Sequence, residues 1–173
     1  MGKNSFHIAK LSLFNMRLLS EVEDASHCHH DIKALKSEQC RLNNVSEPVS
    51  LLHQTSFLGH AYVCLVWLRE CVKKNTQDER AYLETLDSFD FSSFKKVSGP
   101  RDLTKQRQIL RLIRNAISHA RVTFSDSYFI FSDIDEKAGE REETVVRGTW
   151  QAVGMLADTS LFAVNDIVYP PNK

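Results

Sequence analysis

The chain has no excess of either charge: Lys plus Arg and Asp plus Glu number 22 each over 173 residues. A global field that would draw in nucleic acid is therefore excluded, and any such binding has to come from a local patch. No apolar run is long enough to span a bilayer, since the most apolar stretch, 57–68, is short and contains His60. No apolar run or small-residue cleavage site follows Lys3 and Lys10, so a secretory leader is not expected. Met1-Gly2 opens like a myristoylation site, but Phe6 stands where Ser or Thr is required. The four cysteines (Cys28, Cys40, Cys64, Cys71) contain no C-x-x-C and are too sparse for a disulfide framework. These absences predict a reduced, cytoplasmic protein without membrane association. Phosphate loops, Rossmann glycine patterns, G-x-S-x-G and H-E-x-x-H are missing as well, as are internal repeats and low-complexity tracts.

What is present is ordinary globular composition, 42% hydrophobic and 25% charged, in a length that suits one domain over 1–173. Ile8, Leu11, Phe14, Leu18 and Leu19 recur at helical spacing and predict a helix over about 6–23. A second is expected over about 25–42, with Ile32, Leu35 and Cys40 on its apolar side. Ser46-Glu47-Pro48 offers a capping residue and a proline at a helix start, opening a long apolar helix to about residue 74. Thr76-Gln77-Asp78-Glu79 fits a capping box and predicts a short helix through Leu86. Phe89, Phe91 and Phe94 are expected to pin a loop or helical turn to the core. Ser98-Gly99-Pro100 breaks the chain before a basic helix over about 102–120. Val122–Phe124 and Tyr128–Phe131 flank a polar turn and predict a hairpin over about 122–132. Thr144–Arg147 is a candidate third strand, and a last amphipathic helix is expected over about 149–166. The fold class is mainly α, a helical bundle with a small antiparallel β-hairpin appendage.

The basic helix carries the chemistry. At about 100° per residue, Arg107, Arg111, Arg114, Ser118 and Arg121 fall on one face, opposite Ile109, Leu112, Ile113, Ala116, Ile117 and Ala120. Asn115 and His119, four residues apart, lie together on a border between these faces. That border suits an imidazole half-shielded from water, with Asn115 placed to orient it or to hold a phosphate oxygen. Arginine grips phosphate through a planar fork of donors, and histidine exchanges protons near neutral pH. Together they point to phosphodiester chemistry that needs no metal. On an ideal helix Arg114 and His119 point roughly 140° apart, which a loosened helix end or a site shared between two copies would relieve.

Arg114-Asn115-x-x-x-His119 at a helix end inside a helical domain resembles the signature of the HEPN superfamily. The flanking text, LRLIRNAISHARVTFSDSYFIF, is similar to a bacterial and plasmid-borne branch in which a hairpin follows the motif helix. The close resemblance covers about 101–132, with looser agreement in helix order over most of the rest. It implies a HEPN-like bundle and a metal-independent endoribonuclease without a cofactor, working in bacterial defence against phage or in a toxin–antitoxin system. In that chemistry the ribose 2′-OH attacks its own phosphorus and expels the 5′-oxygen. Arg114, Asn115 and His119 would be the catalytic residues, and Arg107, Arg111, Ser118 and Arg121 would bind RNA. The resemblance further implies a homodimer with a composite active site, and an antitoxin or regulatory protein as partner. One departure stands out: where a Tyr commonly follows two places after the His, this chain has Arg121, which puts regulation by nucleotide addition there in doubt. The alternative is a non-catalytic HEPN-like module that binds RNA, a nucleotide or a protein through the same face.

Other chemistry-bearing residues read more plainly. His27-Cys28-His29-His30 matches no standard zinc spacing and is expected on a solvated helix face. His53 and His60 are expected as hydrogen-bonded core residues. Asp133, Asp135 and Glu136 read as a solvated acidic loop.

Overall fold

The computed structural model describes residues 3–43, 45, 54–125, 127–137 and 140–170. The chain is mainly α with an antiparallel sheet. Helix α1 (Lys3–Cys28) turns at His29, an extended residue, into α2 (His30–Leu42). The break therefore falls at His29, five residues beyond the expected one. The expected helix start at Ser46-Glu47-Pro48, and His53, lie outside the described residues.

The central apolar helix runs as α3 (Gln54–Ala61), a π-helical stretch (Tyr62–Trp67) and α4 (Leu68–Val72). A widened turn changes which carbonyls are tied up within the helix. Here the carbonyl of Cys64 accepts from Ser160 Oγ at 2.7 Å, and Tyr82 OH is 2.8 Å from the same Oγ. Ser160 has one hydroxyl proton, which goes to the carbonyl, so Tyr82 donates. All three residues are buried. Burial pushes the Tyr82 phenol up to about 12 and the Cys64 thiol up to about 12.

Helix α5 (Thr76–Asp87) starts one residue earlier than the capping-box reading had it. Asn75 is the cap, its side chain accepting from the backbone N–H groups of Gln77 and Asp78. Phe89, Phe91 and Phe94 form an aromatic cluster around a 3₁₀ turn, as expected, and Phe94 then opens strand β1 (Phe94–Ser98). The motif helix α6 (Gln106–Ser118) leads into β2 (Val122–Phe124), β3 (Tyr128–Lys137) and β4 (Glu140–Thr149). The appendage is thus a four-stranded antiparallel sheet, order β1-β4-β3-β2, that contains the expected hairpin. Helix α7 (Trp150–Val168) closes the chain, with Thr149 Oγ1 capping Ala152 N–H.

The core is continuous from helices to sheet. Phe129 and Phe131 point inward from β3, Val146 from β4 and Phe94 from β1. Burying an aromatic side chain of this kind contributes about 2–3 kcal/mol. Gly148 is needed where the Phe94 ring lies on β4, since a Cβ there would overlap the ring. Strand β3 packs along α6, and that seam positions the site.

Candidate functional site

The motif helix is shorter than its periodicity suggested, at both ends. Asp102 bonds Thr104 through its backbone N–H and its hydroxyl, a local turn that competes with helix. The helix proper therefore begins at Gln106. Leu110, Leu112, Ile113, Ala116 and Ile117 are buried, leaving Arg107, Arg111 and Ser118 outward. At the far end His119 leaves helical geometry and Ala120 takes a positive φ of 53°. Arg121 N–H then reaches back to Ala116 O at 2.8 Å, and Ala120 N–H to Ile117 O at 3.3 Å. Those two bonds satisfy carbonyls that a helix end leaves orphaned. Glycine usually occupies the left-handed position, so Ala120 costs about 1 kcal/mol there.

His119 sits on this cap and is exposed, not half-shielded as the ideal helix implied. The reason is the early stop: beyond Ser118 the helical angle no longer governs where the side chain projects. No hydrogen bond to its imidazole is made among the described residues.

Asn115 is held elsewhere. Its Nδ2 donates to Asp133 Oδ2 at 3.1 Å, and the same oxygen accepts from Arg101 NH1 at 2.6 Å. Arg121 NH1 lies 3.9 Å from the other carboxylate oxygen. Asp133 is 3% exposed, so the reading of 133–136 as a solvated acidic loop is corrected at this residue. It follows Phe129 and Phe131 on the inward face of β3 and meets the motif helix where a third apolar side chain would stand. One buried carboxylate thereby ties the turn before α6, the helix itself and the residue after its cap. Gly99 makes that turn possible: its φ is 100°, and a Cβ would overlap the backbone of Glu143 and Thr144.

Arg114 is half-buried and forms no ion pair among the described residues. Its pKa is pulled below the ordinary arginine value first by burial, then by the like charge of Arg69, with a smaller push from Arg111. It stays charged. Arg69, on α4, is mostly buried, pairs with Glu70 at 3.1 Å and Glu79 at 2.9 Å, and leaves its Nε buried without a partner among the described residues. Three guanidinium groups therefore gather on this side of the molecule with less acid than they could pair. A dianionic or monoanionic oxygen group would relieve that imbalance.

The other sequence-chosen residues are scattered along the helix. Arg107 is forked onto Asp87 of α5, with Nε to Oδ1 at 2.8 Å. Ser118 Oγ donates to Arg114 O at 2.8 Å, inside the last turn. Arg111 stays exposed near Arg114. Sequence reasoning missed Arg69 and, at Asp133, which it placed in a solvated loop, the burial and the bond to the motif helix. A charge directly after the apolar run 57–68 was the available sign of Arg69, and carrying the period-2 alternation past Phe131 would have turned Asp133 inward.

Elsewhere, His60 is a core residue as expected, 3% exposed. Its Nε2 donates to Asp158 at 3.1 Å, leaving Nδ1 to accept from Ser12 Oγ at 3.0 Å, which joins α7, α3 and α1. His27, Cys28, His29 and His30 are exposed around the α1–α2 break. Among the described residues no three His, Cys, Asp or Glu converge as a metal-binding set, and no helix is long and apolar enough to cross a membrane.

Comparison with curated proteins and with solved structures returns no significant match. The family model described as HEPN pEK499 p136 matches residues 3–158, which includes the motif helix, the sheet and Asp133. The chain is a member of that HEPN family.

Proposed function

We propose that this HEPN protein is an endoribonuclease that cleaves RNA by 2′-OH transesterification, with its charge and proton chemistry supplied by side chains. The observation that carries this is Arg114: a half-buried guanidinium, without an ion pair among the described residues and beside Arg69 and Arg111. A preorganised cation of this kind stabilises the additional negative charge of a phosphorane. His119 serves as general acid or base, a role worth about 10²- to 10⁴-fold in rate. One proton leaves the 2′-OH as oxygen bonds to phosphorus, and one reaches the departing 5′-oxygen. The products are a 2′,3′-cyclic phosphate and a 5′-hydroxyl. With one Asn115 N–H engaged by Asp133, its Oδ1 acceptor is available to the 2′-OH or to an imidazole N–H. This favours an orienting role for Asn115 over a grip on phosphate. Arg111 and Arg121 extend the cationic face, Ser118 shapes the last turn, and Arg107 would have to exchange Asp87 for a phosphate to join it.

The active unit we propose is a homodimer with a composite site. An apolar groove of about 470 Å³ between α1 and α3 includes Leu11, His60 and Gly59. Gly59 also lines a second groove of about 380 Å³ with Tyr62, Ile117, Ala120 and Val122, immediately beside His119. A second copy seated along this surface would bring its own Arg114 and His119 near the first pair. A role in phage defence or a toxin–antitoxin pair, with an antitoxin or regulatory partner, rests on the sequence resemblance.

The absence of an orienting partner for His119 among the described residues favours a second reading, a non-catalytic module that binds RNA, a nucleotide or a protein. An RNA oligonucleotide carrying one 2′-deoxy sugar separates the two. A ribonuclease of the proposed kind leaves cyclic phosphate ends elsewhere and spares the modified linkage. A module binds both oligonucleotides and cuts neither.

A further inference from the structure

The outer face of the sheet departs from the polar surface usual for an antiparallel sheet whose other face is in the core. Phe129, Phe131 and Val146 turn inward, so alternation turns Tyr128, Ile130, Val145 and Arg147 outward. A groove of about 410 Å³ crosses this face, running from Ala120 and Arg121 at the cap of α6 past Thr123 and Ile130 to Val145. At its edge the Arg147 guanidinium lies over the Tyr128 ring, 5.1 Å from the centroid, and both residues are exposed. Register sets Lys95 beside Arg147, Arg147 beside Ile130 and Ile130 beside Thr123, one row across all four strands. That row spans about 14 Å at the usual interstrand spacing. Lys95, Arg147 and Arg121 are its cations. Glu143 lies beyond Val145, on the side away from Arg147.

We infer that this face binds single-stranded RNA, stacking bases on the Tyr128–Arg147 pair and holding phosphates with Lys95 and Arg121, and that it leads the strand to His119. The inference rests on the ribonuclease reading for delivery to His119, though not for the binding itself. Aromatic rings and guanidinium planes are the surfaces on which unstacked RNA bases lie. Arg147 holds the ring of Tyr128 in place beforehand, which lowers the ordering cost of a stack. The aliphatic carbons of Ile130 and Val145 continue the apolar contact into the groove. Charge selects this occupant: a phosphate chain complements the cations, whereas a second copy laid on the same face would crowd like charges. Glu143 repels the chain from the far end of the groove and keeps it over the basic row. The groove ends at Ala120 and Arg121, so the strand arrives beside the exposed imidazole of His119. A duplex keeps its bases in the stack and offers this face its phosphates alone.

Equilibrium binding of a 2′-O-methyl oligonucleotide to the full chain tests this, because without a 2′-OH it is bound but not cut. The single strand is expected to bind about tenfold more tightly than the same sequence in a duplex, with little dependence on base. Tyr128→Ala should lose about tenfold for the single strand and leave the duplex unchanged, whereas Tyr128→Phe keeps the stack. Lys95→Gln with Arg147→Gln should lower the slope of log affinity against log salt by about 1.4. Equal affinity for single strand and duplex, or a Tyr128→Ala protein with wild-type affinity, overturns the inference. A sedimenting mass that falls in Tyr128→Ala without RNA assigns the face to a second copy and overturns it too. Single-strand preference with natural RNA left whole keeps the face and removes the ribonuclease reading. Cleavage of natural RNA by a protein without that preference does the reverse. The wild-type comparison needs no variant to fold.

Discussion

Asp133 is the residue on which the motif depends without being part of it. Its carboxylate accepts from Arg101 and Asn115 and faces Arg121, all within a nearly dry seam. Asp133→Ala removes the tether on Asn115 and leaves two guanidinium groups with a lost partner. Breaking a buried pair one-sidedly costs about 3 kcal/mol or more, and urea denaturation should show it. Asp133→Asn keeps the shape and loses the charge. It should fall well short of that cost while lowering RNA cleavage at unchanged RNA affinity, because Asn115 loses its orientation and Arg114 does not. Ala120 makes the opposite case. Its positive φ is the one non-glycine example among the described residues, so Ala120→Gly should stabilise by about 1 kcal/mol. No gain in urea midpoint would mean that the left-handed cap is not what ends α6. Helix phase placed Arg114 and Asn115 on α6 but not His119, because α6 ends at Ser118; the grouping of the three as catalytic residues came from the family resemblance. The burial of Asp133 was not legible, because the strand was expected to end at Phe131 and a carboxylate beyond it looks solvated.

At the scale of elements, the helix order was readable from 3.6-residue periodicity, whereas burial of one face was not. Ile8, Leu11, Phe14 and Leu18 made the first helix visible, yet they are 49–60% exposed, and α1 is anchored instead through Phe6 and Ala9. Periodicity reports that a stripe exists and not which partner covers it. On the proposed homodimer, this exposed stripe is the candidate contact surface of α1. Leu11→Asp combined with Phe14→Asp should therefore keep the fold, by circular dichroism, and lower the sedimenting mass to that of one chain. An unchanged mass would remove α1 from the interface. The Asn75 cap was missed by one residue because Thr76 and Glu79 also fit a capping pattern; the Asn amide oxygen accepted two N–H groups and won. The π-helical turn had no sequence sign; its Cys64 carbonyl is met by Ser160, itself bonded to Tyr82, and both partners come from distant elements. Those elements give a pH dependence. Tyr82 is raised from an unfolded value near 10 to about 12, and Cys64 from about 9 to about 12. The folded state then holds protons that the unfolded state has released, so stability is intact below pH 9 and is lost as pH climbs from about 9 to 12. Tyr82→Phe should flatten the part of that decline above pH 10, and an unaltered curve would detach it from Tyr82.

For the whole molecule, zero net charge confines any anion binding to a local patch, and Arg69, Arg111 and Arg114, gathered across two helices, are the candidate. A composite site adds a distinctive expectation. His119→Ala and Arg114→Ala proteins, each inactive alone, should regain up to about a quarter of wild-type activity on mixing and subunit exchange, since a mixed dimer keeps one intact Arg114–His119 combination. No recovery would place each site within one chain. The most direct measurement is cleavage of an end-labelled structured RNA in EDTA by wild type, His119→Ala and Arg114→Ala, with the RNA affinity of each determined in parallel. Cleavage by wild type alone, leaving 2′,3′-cyclic phosphate ends while His119→Ala still binds, is the expected result. Uncut RNA bound equally by all three would contradict it and leave a binding module.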